Sequence, residues 1–330
     1  MDEQLFLGKK VLITGGMGFI GSNLAIRLVG LGAEVSLVDS LIPEYGGNVW
    51  NIESIKKQVR VNISDVRDPY SMKYLIQGQD YLFNLAGQTS HIDSMHNPFV
   101  DLDINAQSQL SILESCRHHN PDVKVVFAST RQLYGAPQYL PVDEKHPLNP
   151  VDVNGINKMA GEGYHLLYNQ VYGIRSVVLR LTNTYGPRMR VKDARQTFLG
   201  IWIKKIICGE PFQIFGDGLQ LRDFNYVDDV VEAMLISALS EEANGQVFNL
   251  GDHRPLNLNA LADCLCHLDD LARFELVPFP AERKAIDIGD YYANYNLIKD
   301  KLGWVPFHSL DSGLAETLSF YREFGAHYWS

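Results

Sequence analysis

Three glycines at three-residue spacing, Gly15, Gly18 and Gly21, are the residues whose type and placement most directly imply chemistry in this chain. They follow a short apolar run, Val11 to Ile13, and precede the helical pattern Leu24, Ala25, Leu28 and Val29. A strand that feeds a helix through such a turn points backbone N–H groups at the helix N-terminus toward a phosphate. Gly15 permits the tight turn, Gly18 lets backbone approach a pyrophosphate, and Gly21 lets the helix pack on the strand, with Phe19 and Ile20 in the same cradle. Asp39 closes a second strand about 20 residues on, where a carboxylate accepts from a ribose 2′-hydroxyl and repels a 2′-phosphate. The pattern predicts NAD in preference to NADP; the alternative is a glycine-rich turn without a ligand.

The elements that must position such a ligand alternate. Apolar strands at Gln58 to Asn62, Tyr81 to Leu85, Val123 to Ala128 and Ser176 to Leu181 are interleaved with helical patterns at Asp101 to His119 and Asp152 to Val171. This predicts an α/β fold, a Rossmann-type doubly wound parallel sheet over residues 1–180. A smaller mixed α/β C-terminal lobe over 181–330 follows, with some chain crossing back to the sheet. Residues 42–51, with Pro43, Gly46 and Gly47, read as a loop, and Pro137 to Pro150 as a loop bordering the site.

At the carboxyl ends of strands, where open α/β sheets place ligands, stand Leu85, Ala86, Gly87 and Gln88, then Ser129, Thr130, Arg131 and Gln132. Asp65 could accept from an adenine amino group beside the apolar wall of Val66, or serve as a helix N-cap. His91 could carry a proton, although a loop histidine is more often a surface or packed residue.

A formal charge of −10 argues against nucleic acid or an anionic membrane as main partner. The chain has no basic start followed by an apolar run and no stretch of about 18 apolar residues, so no signal peptide or membrane span is expected and a cytoplasmic location is. Cys116, Cys208, Cys264 and Cys266 lack metal-site spacing, which predicts neither a metal nor a disulfide.

Taken together, GGMGFIG, Asp39, LAGQ, FASTRQLYG, Lys158 followed by MAGE, RLTNTYGP and LRDFNYVDD resemble the extended short-chain dehydrogenase/reductase family of nucleotide-sugar epimerases and dehydratases, over nearly the whole chain. LAGQ, the run Gln196 to Trp202 and Gly216-Asp217-Gly218 look most like the subgroup containing CDP-tyvelose 2-epimerase and UDP-sugar 4-epimerases.

The resemblance implies a Tyr-x-x-x-Lys pair, the lysine binding cofactor ribose and the tyrosinate taking a proton from a sugar hydroxyl. Lys158 matches, but the tyrosine position is Asn154, and an amide is no base near neutral pH. A desolvated Lys158 acting directly, or through a water held by Asn154 and Thr130, is one expectation for the proton path. Thr130 matches the hydroxyl that steadies the sugar oxygen. The next two positions are acidic in the 4,6-dehydratases and are Arg131 and Gln132 here, which demotes dehydration.

Gln88, Asn183, Arg222 and Arg283 are the substrate-binding residues the resemblance implies, the last three for the diphosphate. An Arg222–Asp223 salt bridge and an exposed cluster around Arg283 are the structural alternatives. The implied activity is an NAD-dependent epimerase working through a transient keto-sugar in a homodimer. A dehydratase, decarboxylase or oxidoreductase with an atypical acid-base set, or an NAD-binding protein that has lost catalysis, are the rivals.

Overall fold

Strands β1 (Lys10–Thr14), β2 (Glu34–Asp39), β3 (Arg60–Ile63), β4 (Tyr81–Asn84), β5 (Lys124–Thr130) and β6 (Ser176–Leu181) arise from the apolar runs of the first half. In the second half come β7 (Asn183–Tyr185), β8 (Phe212–Phe215), β9 (Leu221–Arg222), β10 (Phe224–Tyr226), β11 (Val247–Asn249), β12 (Leu256–Asn257) and β13 (Phe274–Val277). The computed structural model describes residues 5–45, 47–193, 195 and 197–329, so Gly46 of the expected loop and Gln196 lie outside the described residues.

Seven strands form one parallel sheet in the order β11-β6-β5-β4-β1-β2-β3. β1, β4 and β5 are buried almost throughout, as both-face-covered parallel strands must be, which is why they read as continuous apolar runs. The order reverses between β1 and β4, and the crevice beyond their carboxyl ends is the ligand position of open α/β sheets.

Helices α1 (Phe19–Gly30), α2 (Pro69–Leu75), α3 (His91–His96), α4 (Pro98–Leu102), α5 (Ser108–His119) and α6 (Val153–Tyr172) flank the sheet. Helices α7 (Phe198–Ile207), α8 (Val227–Leu239), α9 (Leu258–Leu268), α10 (Ala281–Lys284), α11 (Asn296–Leu302) and α12 (Leu310–Phe324) follow. One core joins Ile13, Leu28, Phe83 and Val126 to Val230, Met234, Phe248 and Trp304, so β11, α8 and the segment around Trp304 belong to the sheet. A second core, including Leu199, Trp202, Phe212, Leu261, Leu314 and Tyr321, fills the lobe. Among the described residues no helix is long and apolar enough to cross a membrane.

Three local expectations change. The helix expected over Asp101 to His119 is α4, a π-helical turn at Asp103–Gln107, then α5. Asn105, within that turn, is buried, and Leu110 beyond it is exposed. The buried amide is tolerated because Asn105 Nδ2 donates to Gln88 O at 2.9 Å and Asp101 Oδ2 at 3.0 Å. Asp65 is not an N-cap: Asp68 caps α2, while Asp65 takes Arg67 on both oxygens, at 3.0 and 2.6 Å. The Pro137 to Pro150 loop packs Val142 with Tyr134, Tyr291 and Ala293 in a small separate core and lines no part of the site.

Candidate active site

Gly15 adopts φ +66°, and a Cβ there would stand 3.0 Å from Ala86 N, so the turn and the end of β4 can approach this closely only through glycine. At Gly21 an added Cβ would meet Gly15 O at 2.2 Å, which fixes the packing of α1 on the turn. Thr14 Oγ1 accepts from Leu85 N and Ala86 N at 3.1 Å and donates to Asn84 Oδ1 at 2.9 Å, riveting β1 to β4 at the reversal. Gly18 caps α1 without a side-chain hydrogen bond, leaving the first-turn N–H groups to whatever occupies the crevice.

Asp39 accepts from Met17 N at 3.0 Å and Leu41 N at 2.9 Å, beside the glycine turn. Burial pushes its carboxyl above the usual range against those two N–H groups. These features fit a dinucleotide: a turn no side chain can enter, an uncapped helix start and an acid at the end of β2.

One cavity of about 480 Å³ is lined by Gly15, Gly18, Phe19, Ile20, Gly21, Asp39, Asp65, Val66, Leu85, Ala86, Gly87 and Gln88, and by Thr130, Asn154, Lys158, Asn183 and Arg283. Of the residues expected from the sequence to bind cofactor or substrate or to act in catalysis, Arg222 alone does not line it. Its guanidinium turns into the protein, onto Leu221 O at 2.8 Å, Gly289 O and Asp287 at 3.2 Å. Asp223 is occupied elsewhere, by Thr182 Oγ1 and Ala293 N, so the Arg222–Asp223 bridge does not form either. Arg283, in contrast, stands over the Phe215 ring at 5.7 Å and faces the cavity, while its neighbour Glu282 pairs with His96 at 2.5 Å.

At the inner end, α6 carries Asn154 and Lys158 beside the end of β5. Lys158 Nζ donates to Ala128 O at 3.1 Å, and burial pushes its ammonium down to about 8, partly opposed by Asp101. Asn154 is not available to hold a catalytic water through its amide nitrogen, because Nδ2 donates to Gln88 O at 2.8 Å and to Asp101 Oδ2 at 3.0 Å. Asp101, fully buried, also takes Asn157 at 2.8 Å, so three asparagines converge on one carboxylate beneath the lysine. Thr130 Oγ1 accepts from Gln132 N at 3.2 Å, capping the turn that follows β5.

Asn183 is likewise engaged within the protein: Nδ2 donates to Asp223 O at 2.8 Å and Oδ1 accepts from Arg131 at 3.1 Å. Arg131, which also lines the cavity, leaves Nη1 buried without a hydrogen-bond partner among the described residues, and its guanidinium lies 5.1 Å over the Tyr291 ring. The sequence marks it only as a strand-end residue after Thr130, because the partners that orient it come from β7 and from Tyr291.

Residues 11–251 match the model of the NAD dependent epimerase/dehydratase family. The chain is 34% identical over 315 residues to the putative UDP-glucose 4-epimerase of Methanocaldococcus jannaschii, covering 94% of this chain and 98% of that protein. It is 31% identical, with a TM-score of 0.86, to the UDP-glucose 4-epimerase of Thermotoga maritima solved with UDP-glucose, over 96% of this chain and 99% of that one. The UDP-glucuronic acid 4-epimerase of Bacillus cereus, solved with UDP-glucuronic acid and NAD, is 26% identical with a TM-score of 0.84, over 96% and 99%.

Proposed function

This chain belongs to the NAD-dependent epimerase/dehydratase family, and from that premise we propose that it epimerises a nucleotide sugar through transient oxidation of one ring carbon. The observation that carries the reading is the single cavity running from the glycine turn and Asp39 to Thr130 and Lys158. When bound there, NAD supplies a hydride acceptor and donor that interconverts the sugar alcohol and its ketone.

The chain's own residues do the rest. Gly15, Gly18 and the start of α1 hold the pyrophosphate, and Asp39 accepts from adenosine ribose. Lys158 holds the second ribose and keeps positive charge near the reacting oxygen, and Thr130 steadies that oxygen. Arg131, with its unpartnered Nη1, and Arg283 hold the substrate diphosphate, a task suited to guanidinium because its fork matches phosphate oxygens. Arg222 supports this end from beneath.

Epimerisation is favoured over dehydration because the two positions after Thr130, Arg131 and Gln132, supply no carboxylic acid to protonate a leaving hydroxyl. The test is to incubate the purified protein with a panel of UDP-, CDP- and dTDP-sugars while following absorbance near 340 nm, then to identify products by NMR. An inverted carbon with the sugar formula unchanged is expected; loss of water or of carbon dioxide would replace this reading.

The protein is read as a cytoplasmic homodimer. Phe99, Leu102, Leu110, Ile156, Leu167 and Val171 expose apolar surface on α4, α5 and α6, more than an isolated surface residue explains. Sedimentation is expected to give twice the chain mass, and Leu167→Glu to shift the protein toward monomer.

A further inference from the structure

With no phenol at position 154, the proton of the sugar hydroxyl needs another acceptor, and the cavity offers few. Tyr45 lines it, but burial raises its phenol further from use, outweighing the lowering effect of Arg67, the partner of Asp65. Asp39 is taken by Met17 N and Leu41 N, Asp65 by Arg67, and Asp93 by Arg195 at 3.2 Å. Asn154 is bound through its amide nitrogen, and Lys158 donates to Ala128 O.

His91 remains. It begins α3, lines the same cavity, and its side chain is 36% exposed. Its Nδ1 lies 3.0 Å from Oδ2 of Asp152, whose side chain is fully buried. The N–H is off the line of a hydrogen bond, as is common in sites that tighten only around substrate.

Asp152 is itself held rigidly. It caps α6 through Gly155 N at 2.7 Å, two residues before Asn154, and accepts from Gln132 Nε2 at 2.8 Å. Burial alone would raise its carboxyl, but His91, Gly155 N and Gln132 together hold it below the usual range. Gln132 thereby ties the dyad to the turn just after Thr130. The amide at 132 is required by this arrangement, because a glutamate there would set a second carboxylate against Asp152.

We propose that His91, oriented by the positioning residue Asp152, is the catalytic base and acid that stands in for the missing phenol. The inference rests on the epimerase reading above. As the sugar C–H bond breaks and its hydride passes to the oxidised nicotinamide dinucleotide, the O–H bond breaks and a new N–H bond forms on Nε2. On return of the hydride to the other face of the ketone, that N–H proton goes back to the oxygen, so the imidazole is regenerated and no net redox occurs. The carboxylate behind Nδ1 favours the tautomer in which Nε2 accepts, and fixes it once that hydrogen bond closes around substrate. Asp152 stands behind the ring, and Asp93 with its partner Arg195, Arg131, Lys158 and Arg283 line the same cavity.

Two measurements test this. The first needs no substrate: the ring 15N shifts of neutral His91 in the NAD-loaded protein are expected to place the proton on Nδ1 in wild type and to lose that preference in Asp152→Asn, and an unchanged tautomer would overturn the dyad. The second compares wild type and His91→Gln with whichever nucleotide sugar of the panel turns over best. A fall in kcat and in the rate of bound NAD reduction of about 10²- to 10³-fold is expected, with NAD content and nucleotide-sugar Kd within about twofold of wild type and partial rescue by added imidazole. Asp152→Asn should fall less and should not be rescued. Full activity in His91→Gln, beside an active wild type, overturns the inference and leaves the epimerase reading standing. A wild type inert toward every sugar, with no NAD reduction, overturns that reading and the proton transfer with it.

Discussion

Lys158→Met is expected to lower turnover by about 10²- to 10³-fold, the range for removing one preorganised charge from a reacting oxygen, while making the folded protein more stable. The two effects have opposite signs for one reason. Lys158 is buried, 5.1 Å over the Phe127 ring, with its ammonium donating to Ala128 O. Burial holds its ammonium down to about 8, against roughly 10.4 in an unfolded chain. Folding therefore works against the charged form below about 8, and that penalty fades as pH rises from about 8 toward the unfolded value. Methionine removes the penalty and the function together.

The same shift sets a pH dependence. If the lysine acts as a cation, kcat/KM is lost as pH rises through about 8, because the ammonium is present below that value and absent above it. Lys158→Arg keeps a permanent cation and should push the alkaline limb upward while retaining part of the rate. Activity that instead climbs through this pH, or a Lys158→Met protein with wild-type turnover, would show that the lysine is the proton acceptor in the first case and dispensable in the second.

How far the sequence reached follows from what kind of pattern each feature leaves. The parallel strands were legible because burial on both faces writes an unbroken apolar run, as in Val123 to Ala128. The glycine turn was legible because its steric demands fall on residues close in sequence, with Gly15 meeting Gly21 and the end of β4. Arg222 was misplaced because a guanidinium can face a cavity or turn inward with no change in the local pattern, and its partners Asp287 and Gly289 lie more than sixty residues on. His91 and Asp152 are as far apart, and the helical pattern that opens at Asp152 carries no mark of the pairing. Asn154 was recognised as a departure, but its coupling to Asp101 on α4 was not, since that partner lies more than fifty residues away in sequence.

Glu162→Ala is expected to destabilise the protein by about 3–5 kcal/mol, the cost of stranding a buried charge, read as a lowered urea midpoint. Glu162 on α6 grips Arg180 of β6 on both oxygens, with Nε at 3.1 Å and Nη2 closer, and both side chains are at most 5% exposed. Burial opposes the Arg180 charge, yet the carboxylate and the Tyr134 hydroxyl raise its pKa overall. Arg180 Nη1 meets Tyr134 OH at 2.5 Å, which donates to Asn249 Oδ1 at 2.7 Å on β11. Alanine would leave that guanidinium without its counter-charge, whereas Arg180→Met combined with Glu162→Ala should recover part of the loss, since no charge is then left alone. Simple additivity of the two single losses would refute this account. The site would register the change as well: Glu162 also accepts from Ser129 Oγ at 3.0 Å, one residue before Thr130, and lies one helical turn beyond Lys158. The carboxylate thus fixes α6 to β6 through Arg180 and to the strand that presents the threonine through Ser129, and its removal should weaken turnover in Glu162→Ala even below the unfolding transition.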